Sequence, residues 1–262
     1  MKRAIKLWYI LPVLVVLIVC AAFIKQDKPV FYIIGDSTVR NPSPPNCSWG
    51  EIIYHYFDTN RITVSNQAMA GRSTRSFLRE GRWDKVISAI KPGDFLLIEF
   101  GHNDGGTPGI VGATQRSALK GTGSDSVVLD WGPGKEKEVV HTFGWYLRKF
   151  SNEAKAKGAT VIIASMVASN WWKDGKVTRS DKTNGLWSSQ IAKETGAFFI
   201  DANSIIADKY EKIGPELVKG LYPYDPVHTN LEGAAINAGA IVKGIKMDTT
   251  NTLNNYFAGK KF

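Results

Sequence analysis

The sequence predicts an α/β domain, a three-layer α/β/α sandwich in which helices cover both faces of a five-stranded parallel sheet. Three observations carry this. Short apolar runs at 30–34, 61–68, 95–100, 160–166 and 197–201 alternate with stretches of helical spacing. The run Phe95-Leu96-Leu97-Ile98-Glu99-Phe100 has the composition of a strand buried on both faces. The chain has 262 residues, 44% hydrophobic and 22% charged, with no internal repeat or composition break to mark a second domain.

In chain order, the first strand runs directly into Gly35-Asp36-Ser37-Thr38. A helix is expected over 49–57. An alternating, β-branched strand follows over 61–68 and stops before Gly71-Arg72-Ser73. Helical spacing covers 77–90 and ends at the turn signal Lys91-Pro92-Gly93-Asp94. Strand three ends at Gly101-His102-Asn103-Asp104. The Gly-rich stretch 105–134 is longer than ordinary loops, a length that often goes with function, and no role is assigned to its Asp125 and Asp130. A helix is expected from about 135 to 157, closed by Gly158. The fourth strand, a loop over 169–181 carrying Trp171 and Trp172, a helix over 183–195 and the fifth strand come next. A short helix, a loop over 221–229 and a last helix from about 230 to 243 complete a domain spanning 28–247. Residues 248–262 read as a C-terminal tail. Because ligands of parallel sheets sit at the carboxyl ends of the strands, the polar blocks after strands one, two and three fall at one edge.

Residues 1–24 read as a signal peptide or an N-terminal membrane anchor. Lys2, Arg3 and Lys6 precede an uncharged, mostly apolar run over 7–24, and Ala21 and Ala22 offer a cleavage point. Either reading puts the folded body outside the cytoplasm: secreted, periplasmic or at the cell surface. Of the two cysteines, Cys20 lies in the apolar run, which leaves Cys47 and excludes a disulfide framework. Formal net charge is +9; without Lys2, Arg3 and Lys6, 30 cations face 24 anions, an excess of +6. That excess suits a polyanion such as an acidic polysaccharide, an anionic membrane surface or nucleic acid, or serves solubility alone.

The chain contains no G-x-S-x-G, which closes the nucleophile-elbow route. Ser37 directly follows a strand in a Gly-Asp-Ser turn, where its hydroxyl can stand at the sheet edge. A serine needs a base to take its proton. Of the four histidines, His55 and His141 fall inside predicted helices, whereas His228 sits in a loop with Asp225 three residues ahead. That spacing lets Asp225 reach the near ring nitrogen, fix the tautomer and stabilise the imidazolium while the other nitrogen faces Ser37. The pair also fits a plain local turn. Oxyanion donors are available in the Ser37 and Gly71 backbone N–H groups and the Asn103 amide. Gly71 and Asn103 equally suit a turn glycine and a turn-capping residue.

Gly35-Asp36-Ser37, Gly71, Gly101-His102-Asn103-Asp104 and Asp225-Pro226-Val227-His228, in that order, resemble the four blocks of the SGNH (GDSL-like) hydrolases. The resemblance spans about 30–244. It implies a flavodoxin-like fold, with Ser37 as nucleophile, Asp225 and His228 completing a triad, and Ser37, Gly71 and Asn103 as oxyanion donors. Gly35-Asp36-Ser37-Thr38, Ala70-Gly71-Arg72-Ser73 and Glu99-Phe100-Gly101-His102-Asn103-Asp104 are most similar to rhamnogalacturonan acetylesterases, which deacetylate the pectin backbone. The implied partner is an acetylated acidic polysaccharide and not nucleic acid. A membrane enters only through the N-terminal segment, the chain is expected to be a monomer, and neither metal nor organic cofactor is required. Arg72, His102, Trp171 and Trp172 are candidate substrate contacts, His102 without a proton-transfer role. Arg72, Arg75, Arg79 and Arg82 would suit the polymer's carboxylates or form a solvated helix face, and the two tryptophans would stack on sugars or pack a loop. Asp36 is expected to hold the nucleophile turn by hydrogen bonds. Three alternatives remain: an esterase acting on other acylated carbohydrates or lipids, a metallophosphoesterase, and an inactive polysaccharide-binding domain.

Overall fold

The structure is a computed structural model, and it describes residues 28–259. The segment 1–24 lies outside the described residues, among which no helix is long and apolar enough to cross a membrane.

Five parallel strands form the central sheet: β1 (Val30–Gly35), β2 (Thr63–Asn66), β3 (Phe95–Glu99), β4 (Thr160–Ala164) and β5 (Phe198–Ile200), in the order β2-β1-β3-β4-β5. Side chains alternate across a strand, so each strand feeds two cores. Phe31, Ile33, Phe95, Leu97 and Ile162 pack under helices α1 (Trp49–Ile52), α6 (Ala202–Ile213) and α8 (Leu231–Met247). Tyr32, Ile34, Leu96, Ile98 and Ile163 pack under α2 (Thr74–Arg79), α3 (Arg82–Ala89), α4 (Phe143–Ala156) and α5 (Asn184–Thr195). A short helix, α7 (Pro215–Lys219), precedes the loop over 221–229.

The predicted sandwich is therefore present, with local differences. The expected helix over 77–90 is two helices, broken where Gly81 takes a left-handed φ of 66°. The helix expected from about 135 starts late. Glu138–His141 is instead a strand, antiparallel to Ser126–Leu129, and α4 begins at Phe143. Val139 and Val140 pair opposite Val128 and Val127, and Thr142 caps the helix by accepting a hydrogen bond from Trp145 N at 3.1 Å. His141 thus lies in a strand and stacks on the Trp145 ring, not inside a helix. His55 sits in a 3₁₀ turn, Ile53–Tyr56, that continues α1. The C-terminal stretch folds onto the body: Leu253 is fully buried and Phe257 stacks on Phe57 with ring centres 4.7 Å apart.

The strand order reverses between β1 and β3. This switch point is where ligands of such sheets bind, beyond the carboxyl ends of the strands, and it is where Ser37 and the 101–104 block emerge.

Candidate active site

The turn after β1 is built on Gly35 and Asp36. A Cβ at position 35 would lie 2.5 Å from the Glu99 carbonyl oxygen and 2.4 Å from Val39 Cγ2, so only glycine lets the chain turn here. The fully buried Asp36 holds the turn. Its Oδ1 accepts from Thr38 N (2.9 Å) and Oγ1 (2.8 Å), and its Oδ2 accepts from His102 N (3.3 Å). Beneath it lies Glu99, also fully buried, accepting from Trp49 Nε1 (3.0 Å) and Val167 N (3.3 Å). Thr38 Oγ1 sits 3.1 Å from Glu99 Oε2 as well. A hydroxyl carries one proton and cannot donate to two carboxylates. Burial, with the Asp36 carboxylate nearby, pushes Glu99 up to about 8. A protonated Glu99 resolves the count, since its O–H donates to Thr38 and Thr38 donates to Asp36.

Ser37 and His228 meet although 191 residues separate them: His228 Nε2 lies 2.8 Å from Ser37 Oγ. On the far side of the ring, Nδ1 lies 2.7 Å from Asp225 Oδ2. Asp225 Oδ1 accepts from the backbone N–H groups of Val227 (2.7 Å) and His228 (2.9 Å), a local Asx turn that fixes the carboxylate before it touches the ring. Partial burial pushes the Asp225 carboxyl up, but donation from the His228 ring and these two N–H groups holds it below its usual range. The loop is pinned to the nucleophile turn. Cys47 N donates to Thr229 O (2.8 Å), Thr229 Oγ1 donates to Cys47 O (2.9 Å), and Ser48 Oγ donates to Ser37 O (2.6 Å).

The other two blocks are laced to the same edge. Met69 N donates to Gly35 O at 3.1 Å, and Asn103 Nδ2 donates to Arg72 O at 3.0 Å. The N–H groups of Ser37 and Gly71 donate to no described residue, and Gly71 has a left-handed φ of 77°. Asn103 spends one amide N–H on Arg72 and keeps the second.

The remaining predicted contacts divide. His102 is half-buried, with its ring Nε2 buried and without a partner among the described residues; burial pushes the imidazole down against the pull of Asp36. Trp171 is half-exposed, whereas Trp172 packs against the core and donates to Asn170 Oδ1 (2.7 Å). Asn170 N in turn donates to Pro226 O (2.7 Å), which sets the tryptophan loop beside the histidine loop. Arg72 and Arg82 share Glu80. Arg75 is a correction: it is neither a polymer contact nor part of a solvated face. Its guanidinium is fully buried, bidentate to Glu138 at 2.8 and 2.6 Å.

Sequence reasoning missed three groups. Glu99 enters the sequence reading as the end of a strand and the start of the third block, with no role of its own. Asp104 is buried and accepts from Thr74 N (2.9 Å) and Oγ1; burial pushes it up to about 7. Arg116 donates to Gly71 O at 3.3 Å. The strand-end and block positions of the two acids were visible, but nothing in the sequence marked Arg116. No cluster of three or more His, Cys, Asp or Glu able to hold a metal ion exists among the described residues.

Residues 33–236 match the GDSL-like lipase/acylhydrolase family. A rhamnogalacturonan acetylesterase of Emericella nidulans is 32% identical over 214 residues, covering 82% of this chain and 83% of the relative. A rhamnogalacturonan acetylesterase of Bacillus subtilis is 28% identical, covering 84% and 91%. Among solved structures, the crystal structure of Bacillus subtilis YxiM superposes with a TM-score of 0.66 at 26% identity. It covers 84% of this chain, which spans 56% of that longer protein. An acetylxylan esterase from Geobacillus stearothermophilus shares the fold, with a TM-score of 0.57 at 18% identity, covering 82% and 93%.

Proposed function

This chain belongs to the GDSL-like lipase/acylhydrolase family, and we propose that it is a serine esterase that removes acetyl groups from rhamnogalacturonan. The observation that carries the reading is the continuous line from Ser37 through His228 to Asp225, at 2.8 and 2.7 Å, at the switch-point edge of the sheet. Its substrate rests on the 32% identity to a rhamnogalacturonan acetylesterase.

In this reading His228 Nε2 takes the proton of Ser37 Oγ as the oxygen attacks the acetyl carbonyl carbon. Asp225 keeps Nδ1 protonated and the ring aligned, and stabilises the imidazolium. The oxyanion accepts from the N–H groups of Ser37 and Gly71 and from the free amide N–H of Asn103. The tetrahedral intermediate collapses, and His228 gives its proton to the departing sugar oxygen. Water, deprotonated by His228, then attacks the acyl-serine; the acyl C–Oγ bond breaks, His228 returns the proton to Ser37 Oγ and acetate leaves. The apolar run at 7–24 and its basic start fit an exported enzyme, as a wall polysaccharide requires.

Acetate release from acetylated rhamnogalacturonan, acetylated xylan and a p-nitrophenyl acyl series tests the proposal. Ser37→Ala and His228→Ala should each lower kcat by about 10⁴-fold or more. Near-full activity in either variant removes the assignment. A strong preference for long acyl chains makes the enzyme lipase-like instead.

A further inference from the structure

Five arginines lie around the Gly71 turn, and four have carboxylate partners. Arg72 and Arg82 face Glu80, and Arg75 and Arg79 face Glu138. The fifth, Arg116, is half-buried and makes no ion pair with a described residue. One Nη1–H donates to the Gly71 carbonyl at 3.3 Å, and the same nitrogen would lie 3.6 Å from a Cβ built on Gly71. The remaining donors of the guanidinium have no protein acceptor among the described residues. An uncompensated cation thus stands at the carbonyl of Gly71, the residue whose own N–H is a candidate oxyanion donor.

Its placement is built rather than incidental. Arg116 belongs to a tight turn whose carbonyls are gripped from below by the buried Arg75. Arg75 Nη1 donates to Thr114 O (3.1 Å) and Ser117 O (3.0 Å), and Nη2 donates to Gly109 O (3.2 Å). The same turn is tied to the third block, through Ala118 N to Asp104 O (3.1 Å) and Ser117 Oγ to Gly105 O (2.6 Å). The Gly-rich segment, without a role in the sequence, here carries a cation to the mouth of the site.

We propose that Arg116 is the specificity-determining residue that pairs with a carboxylate of the substrate within one sugar unit of the scissile acetyl ester. The inference rests on the esterase reading and gives it a chemical class: acetylated uronate polymers in preference to neutral ones. A planar guanidinium with several free N–H donors matches a carboxylate in two-point geometry, which lysine cannot do.

The test compares wild type, Arg116→Gln and Arg116→Lys on acetylated rhamnogalacturonan and on neutral acetylated xylan. The ratio of kcat/KM, acidic over neutral, should fall about 10- to 100-fold in Arg116→Gln, the size of a charged hydrogen bond, mainly through KM. Arg116→Lys should retain part of it. An unchanged ratio overturns the inference. So does an equal fall on both substrates, because it assigns Arg116 to positioning the Gly71 peptide. Should wild type cleave only neutral esters, the rhamnogalacturonan reading fails, yet the anion site is still decided by inhibition of p-nitrophenyl acetate hydrolysis with galacturonate oligomers. Inhibition weakened in Arg116→Gln sustains the site, and inhibition equal in both removes it.

Discussion

Glu99 has no route to water and lies beneath the nucleophile turn, bonded to Trp49 and Val167 and within reach of Thr38. Its carboxyl titrates near 4.5 when unfolded and is pushed up to about 8 by burial and by Asp36. Between these values the folded state holds a proton that the unfolded state has released. The stability due to this proton is therefore complete below pH 4.5 and is lost as pH rises toward 8. Glu99→Gln keeps a donor for Thr38 but does not titrate. Its stability, read from the urea midpoint, should fall less than that of wild type between pH 5 and pH 8, by on the order of a few kcal/mol at the alkaline end. Asp104, raised to about 7, contributes a loss of the same sign to both proteins, so the comparison isolates Glu99. Parallel pH curves for variant and wild type would show that Glu99 is ionised in the fold. The contrast with Ser37 and His228 explains what a sequence can reveal at this scale. Ser37 stands in a short block after a predicted strand and His228 in a loop three residues from Asp225, so each could be singled out within its own block. The importance of Glu99 arises from what surrounds it, and neither Trp49 nor Val167 is near it in the chain.

Among the elements, the hairpin formed by Ser126–Leu129 and Glu138–His141 depends on one buried ion pair. Arg75 comes from α2, and Glu138 opens the second strand of the hairpin. Desolvating both groups is costly, and the bidentate contact between them, together with the three carbonyls that accept from Arg75, offsets that cost. Arg75→Met leaves Glu138 with the longer contact to Arg79 at 3.5 Å and the Trp131 Nε1–H at 3.0 Å. The single variant should lose about 3 kcal/mol, read from its urea midpoint, and amide protection over 105–141 should fall first. Adding Glu138→Met should recover part of the loss, because no buried charge then remains unpaired. A double variant weaker than the sum of its parts would refute this account. The hairpin was the least readable element in the chain. Lys135-Glu136-Lys137-Glu138 alternates in charge as an exposed helix face does, and the strand that pairs with it lies inside what reads as loop. Arg75 misled for the same reason: its spacing from Arg79 and Arg82 suits a solvated helix, and only the hairpin folded across it makes it buried. The first, third and fourth sheet strands had no such ambiguity, since their apolar runs are buried on both faces.

At the scale of the whole molecule, the reversal of strand order puts the candidate site on one edge and leaves the charge of the chain to act on what arrives there. Formal net charge is +9, and +6 remains without Lys2, Arg3 and Lys6. Around the Gly71 turn, two glutamates offset four of five arginines in pairs, so each shared carboxylate leaves an excess of one cation. With Arg116, the Gly71 turn carries the same sign as the molecule. An acidic polymer is then drawn in by a field that salt screens, whereas a neutral ester feels none of it. From about 0.01 to 1 M salt the screening length falls from about 30 to 3 Å. Over that range kcat/KM on acetylated rhamnogalacturonan should drop several-fold or more, while hydrolysis of p-nitrophenyl acetate stays flat. Arg116→Gln should make the polymer's salt slope shallower, since it removes the one arginine of the five that has no ion-pair partner among the described residues. A salt response equal for polymer and neutral ester would mean that the positive charge serves solubility and takes no part in recognition.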